Sequence, residues 1–155
     1  VQALLKGSGL MVVTQPSFLY ESADRYAQHV PVQIQPWLYP LASLRNIGLA
    51  MAAGSDAPVS SPNPWRGIYG AVKRRGESGK ALHPEHSLSL DEALGLYTLG
   101  SAAASQEIGI KGSIEPGKLA DIILIDRSIR EKELDGLLDS KVLLTMIGGR
   151  IAWEQ

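Results

Sequence analysis

The chain has 155 residues of 45% hydrophobic composition, enough for one folded domain with a core. With 15 Lys and Arg against 16 Asp and Glu, well mixed, the net charge is −1, which excludes an electrostatic footprint for nucleic acid or an anionic membrane. The lack of cysteine excludes disulfides, thiolate metal sites and cysteine nucleophiles, and no apolar run approaches the roughly 20 residues of a bilayer span.

Residues 1–9 lack the charged-then-apolar layout of a signal peptide and have no initiating Met, so the sequence is expected to begin partway through a longer protein, with the cytoplasm as the expected compartment. The continuous apolar run at 10–14, stopped by Gln15 and Pro16, predicts a strand covered on both faces. Residues 17–46 mix aromatics with Pro31, Pro36 and Pro40 and predict a loop with a short helix, leading into a helix over 41–46. A second strand is expected over 49–53, ending abruptly at Gly54-Ser55-Asp56. Two apolar strands separated by loop and helix form a βαβ unit, so this sheet should be parallel.

A helix is expected over 65–75, ending in Lys73, Arg74 and Arg75, and the Gly, Ser, His and Pro of 76–88 predict a loop. Ser89 followed by Glu92 is a capping box. It opens a helix that Gly100 should interrupt, with a second short helix ending near Gly109. The last third is turn-rich at 112–118, then predicts a strand over 119–126 and a short helix near 129–138. Two final strands, 142–147 and 150–153, flank Gly148-Gly149 and predict a hairpin whose turn needs positive φ.

Asp56 is the candidate of greatest interest. At the C-terminal end of a parallel strand a carboxylate can bind a cation or move a proton. On the residues alone, an Asp capping a turn is the commoner arrangement. His83 and His86 frame Glu85, but Pro84 and the polar surroundings make them surface histidines of a loop, and His29 is expected to be structural or solvent-facing. Gln15 should face the same rim as Asp56, where it could touch substrate or tie down its own loop by a hydrogen bond, and Trp37, Tyr39 and Trp65 fall in rim loops where they could line a substrate pocket or pack the loops down. Arg74 sits where a helix C-terminus favours a cation.

Three segments taken together resemble a known family: GSDAPV at 54–59, LDEALGLYT at 90–98, and GSIEPGKLADI at 112–122. The chain is similar to the C-terminal part of the metal-dependent amidohydrolase superfamily. Residues 13–16 (VTQP) and 71–74 (AVKR) point to amidohydrolase family 3, the YtcJ-like subgroup. The resemblance implies an α/β fold: a C-terminal fragment of a (β/α)8 TIM-type barrel over 1–110, holding its last two strands, and part of a composite β-sandwich over 111–155. It implies that Asp56 contacts a divalent metal, zinc by default, or its bound water, and shuttles a proton during hydrolysis of a non-peptide carbon–nitrogen bond in a small-molecule substrate. Lys118 and Asp121 then belong to a structural motif of the sandwich.

The family's paired histidines on its first strand have no counterpart here, and a catalytic metal takes three or more protein ligands. The 155-residue chain by itself is therefore expected to be inactive. An incomplete barrel exposes strand edges that invite homo-oligomer formation. The competing expectation is a non-catalytic module acting through self-association or partner binding.

Overall fold

After a one-turn helix α1 (Gln2–Leu5), strand β1 (Met11–Thr14) pairs in parallel with β2 (Ala50–Ala53), Met11 opposite Ala50 and Thr14 opposite Ala53. The computed structural model describes residues 2–130 and 133–155. Parallel strands need a crossover, supplied by α2 (Phe18–Glu21), α3 (Ala23–His29), a 3-10 turn at Gln35–Trp37 and α4 (Leu41–Asn46). This crossover is more helical than its prolines suggest. Pro31 follows the end of α3, Pro36 lies within the first residues of the 3-10 turn, and Pro40 caps α4, so none removes a needed amide from a helix interior. The expected burial of β1 on both faces is not met: Val13 is 57% exposed. Among the described residues, β2 is the one strand beside it.

Helix α5 (Pro64–Lys73) is the centre of the core. Asn63 accepts a hydrogen bond from the Trp65 amide at 3.0 Å and Pro64 opens the first turn, a strong start signal. Trp65, Ile68, Tyr69 and Val72 recur at helical spacing and are buried with Leu19, Leu41, Leu82, Leu88 and Leu96. On the same helix Gly70 allows close approach of the chain leaving β1: a Cβ there would stand 2.3 Å from the Pro16 carbonyl oxygen.

Helix α6 (Leu90–Gly95) carries the expected capping box, with the Glu92 amide donating to the Ser89 hydroxyl and the Ser89 amide to the Glu92 carboxylate. Gly100 does not interrupt the helical path. The chain winds through a π turn (Leu96–Gly100) straight into α7 (Ser101–Ala104). A Cβ on Gly100 would lie 2.3 Å from the Met51 carbonyl oxygen and 3.2 Å from Ala52 Cα, so this glycine lets the helix lie against β2. The helix ends at Ala104, earlier than Gly109, and Gln106 turns the chain with φ 60°.

The rest forms an antiparallel sheet in the order β3 (Ile122–Ile125), β4 (Val142–Ile147), β5 (Arg150–Glu154). The expected hairpin is present, with Gly148 and Gly149 at φ 55° and 81°. The strand expected from 119 starts later, at Ile122. Of the helix expected near 129–138, residues 131–132 lie outside the described residues and one turn, α8 (Leu134–Leu137), is helical. Leu134 and Leu137 enter the core, and the Tyr69 hydroxyl donates to Asp135 at 3.0 Å, joining α8 to α5.

Candidate functional site

Because β1 and β2 are parallel and in register, both leave the sheet on one rim. The Gly54 amide donates to the Thr14 carbonyl at 3.0 Å, carrying the pairing one residue past the strands. Gln15 and the segment from Gly54 to Asp56 therefore start side by side. Asp56 adopts φ 60°, a left-handed conformation that Asp tolerates better than most residues. Its carbonyl accepts from the Val59 amide at 2.8 Å, the Ala57–Pro58 peptide is cis, and its side chain faces solvent.

Two serines tie this turn to the chain leaving β1. The Ser17 and Ser60 hydroxyls lie 3.0 Å apart, and the Ser60 hydroxyl donates to the Ser55 carbonyl. Nothing in the sequence marks these serines among the others of the two turns.

An aromatic group stands on the same rim. The Tyr39 ring lies 6.4 Å from Phe18 and 6.2 Å from Tyr26, tilted by 31° and 34°, and the Tyr26 and Tyr39 hydroxyls are 3.4 Å apart. Burial, then the hydrogen bond to Tyr26, and the negative charge of Asp56 hold the Tyr39 phenol well above its ordinary range. The field of Asp56 thus reaches Tyr39 (Arg25 opposes it weakly).

Arg74 is not a solvated cation at a helix end. It is fully buried, in a left-handed conformation at the C-cap of α5, and donates from Nε to the Leu82 carbonyl at 2.9 Å, from Nη1 to Tyr39 at 2.8 Å and from Nη2 to Leu38 at 2.9 Å. Burial lowers its pKa to about 10, with the charge of Glu85 acting in the opposite sense. The carbonyl dipoles answer a charge that burial would otherwise make costly. The sequence signal was present as a basic residue in the right place, but the side chain turns inward because it is the cap residue that has left the helical path.

The other candidates are scattered over the rim and the core. Gln15 is half-buried at the rim, its carbonyl accepting from the Phe18 amide at 3.2 Å. Trp37 is 64% exposed on its 3-10 turn, whereas Trp65 is 6% exposed and its indole is part of the core. His83 Nδ1 is 2.9 Å from Glu85, His86 Nδ1 is 3.1 Å from the Ser43 hydroxyl, and His29 is exposed at the end of α3. Among the described residues no group of three or more His, Cys, Asp or Glu side chains could hold a metal ion. Asp56 alone does not make a metal centre.

The parallel pair followed by an antiparallel sheet is a fold shared with solved structures. The fold matches an uncharacterized metal-dependent hydrolase of Pyrococcus horikoshii with TM-score 0.70 and 27% identity, over 82% of this chain and 26% of that one. It also matches a zinc-bound adenosine deaminase of Xanthomonas campestris with TM-score 0.70, over 99% of this chain and 34% of that one, where the 24% identity speaks for the fold alone. The chain belongs to the amidohydrolase family, whose profile matches residues 5–152. It is 32% identical to the N-substituted formamide deformylase of Arthrobacter pascens over 118 residues, 76% of this chain and 22% of that protein. It is 31% identical to YtcJ of Bacillus subtilis over 111 residues, 70% of this chain and 21% of that protein. The chain thus spans between a fifth and a quarter of the length of these curated relatives.

Proposed function

We propose that this chain is the C-terminal portion of a hydrolase of non-peptide carbon–nitrogen bonds in small molecules, and that Asp56 is its proton-moving carboxylate. The observation that carries the reading is the position of Asp56 at the exit of β2, in register with the exit of β1, in a chain of the amidohydrolase family. In this reading a water oxygen attacks the carbonyl carbon, Asp56 takes the water's proton, and the same proton passes to the nitrogen as the carbon–nitrogen bond breaks. The products are a carboxylic acid and an amine. A carboxylate suits the task because it accepts and returns a proton near neutral pH.

Residues 1–110 are proposed to supply two strands and helices of a (β/α)8 barrel, and residues 111–155 part of a β-sandwich. A whole barrel takes about 250 residues, and the matched segment is only 21–22% of the relatives' length. A divalent metal, with zinc the first choice, is proposed for the whole enzyme, its further ligands lying outside this chain. By this reading the 155-residue chain alone is inactive. Gln15 and Trp37 are proposed to meet substrate at the rim, whereas Trp65, 6% exposed with its indole in the core, is proposed to pack its loop down. A cytoplasmic setting is proposed with them. Among the described residues no helix is long and apolar enough to cross a membrane.

The test is amine release from a panel of N-substituted amides, including formamides, by the full-length protein and by the 155-residue chain, with elemental analysis of both. Turnover and stoichiometric metal in the full-length protein, with neither in the shorter chain, is the expected result. Stoichiometric metal in the shorter chain contradicts the proposal and makes His83, Glu85 and His86 the first residues to mutate.

A further inference from the structure

The two rim turns share a buried hydrogen-bond chain whose direction is determined by proton count. A serine hydroxyl has one proton to give. Ser60 gives its proton to the Ser55 carbonyl, so the 3.0 Å contact between Ser17 and Ser60 must run from the Ser17 hydroxyl to the Ser60 oxygen. Ser17 is 1% exposed and Ser60 6%, so both hydroxyls are shielded from water. The Ser55 carbonyl belongs to the peptide group whose nitrogen is that of Asp56. Fixing that peptide plane, with Asp56 at φ 60°, sets the direction in which the Asp56 side chain leaves the backbone. At the other end, Ser17 lies in the turn after β1, where the Pro16 carbonyl accepts the Leu19 amide at 2.9 Å and touches α5 at Gly70. The chain therefore refers the aim of Asp56 to the helix at the centre of the core.

We propose that Ser60 is a positioning residue for Asp56, with Ser17 as its support: the relay from Ser17 through Ser60 to the Ser55 carbonyl holds the carboxylate in its working direction. This rests on the reading of Asp56 as the proton-moving group. An exposed carboxylate on a left-handed residue has no packing of its own to hold it, and misplacement by about 1 Å can cost about 100-fold in rate.

The test uses the full-length protein with four substitutions: Ser60→Ala, Ser17→Ala, Asp56→Asn, and Leu144→Ala as a control in β4 of the antiparallel sheet, outside the relay and α5. Hydrogen exchange of the 54–60 segment and steady-state hydrolysis of N-butylformamide are measured for each. Ser60→Ala should speed exchange in that segment by about 10-fold or more and lower kcat by about 10- to 100-fold, with KM within about 3-fold. Ser17→Ala should move both readouts the same way by less, and Leu144→Ala should move neither selectively. Exchange at 54–60 that is unchanged by Ser60→Ala and Ser17→Ala, or raised equally by Leu144→Ala, overturns the proposal. So does faster exchange with unaltered kcat. The exchange readout needs no substrate and decides the relay on its own where N-butylformamide is not turned over. Wild-type turnover by Asp56→Asn is a separate result that removes the reading of Asp56 and leaves the exchange result standing.

Discussion

The guanidinium of Arg74 donates to the Tyr39 carbonyl at 2.8 Å across 35 residues of chain, so the last residue of the α5 turn decides where the loop before α4 lies. Leu38 and Leu82 accept from the same group, and the Tyr39 ring then completes the aromatic wall with Phe18 and Tyr26 on the rim that carries Asp56. Replacing Arg74 by Met keeps bulk but removes the donor to the Leu38 and Leu82 carbonyls and leaves the Tyr39 carbonyl with the Leu41 amide alone. Arg74→Met should lower the unfolding free energy by on the order of 3 kcal/mol, because each lost bond to a charged donor is worth about 1.5–3 kcal/mol and relaxation recovers part of the loss. Urea unfolding measures this, and a change below about 0.5 kcal/mol would show that the clamp is dispensable.

His86 gives a pH dependence with a definite sign. Burial, and then the positive charge of Arg74, lower its pKa from 6.5, so the folded chain prefers the neutral ring. The unfolded chain takes up its proton first on acidification. The contribution is complete above pH 6.5 and is lost as pH falls through that value toward the lower folded one. Stability should therefore decline as pH falls through 6.5, and His86→Gln should flatten that part of the profile. An identical slope in the variant would contradict the assignment.

Gly100→Ala tests the close approach of helix and strand. The added Cβ meets backbone atoms of Met51 and Ala52, which cannot swing away as a side-chain tip can. We expect a loss of about 2 kcal/mol by thermal or urea unfolding, although alanine has the higher helix propensity. A gain in stability would mean that the π turn shifts to admit the methyl group.

The antiparallel sheet leaves Ile123, Leu124, Ile147, Ile151 and Trp153 about half exposed or more. Such an apolar sheet with open edges favours association. Light scattering on the 155-residue chain should report oligomers at micromolar to millimolar concentration, and the double substitution Ile151→Lys with Trp153→Lys should shift them toward monomer. A strictly monomeric parent chain would contradict this.

Much of this architecture was legible from local rules. The capping box at Ser89, the hairpin at Gly148-Gly149 and the parallel pairing of β1 with β2 all follow from short-range signals that the fold keeps. What failed to read were features set by distant neighbours. Gly100 looks like a helix breaker until β2 is known to lie against it. Val13 looks buried because its strand is apolar, while its exposure depends on which strands stand beside it. At the site, the position of Asp56 was readable as the residue that ends an apolar strand. The inward turn of Arg74 and the pairing of Ser17 with Ser60 across 43 residues were not, since each depends on a left-handed or buried geometry that no periodicity announces.

The role of Asp56 is tested most directly by the turnover of Asp56→Asn in the full-length protein, measured on the best amide substrate of the panel together with its unfolding midpoint. Asparagine keeps the shape of the side chain and removes its capacity to take a proton. The expected result is a fall in kcat of at least about 100-fold, the usual scale of a lost general base, with the midpoint essentially unchanged. Turnover within a few-fold of wild type would contradict the role assigned to Asp56.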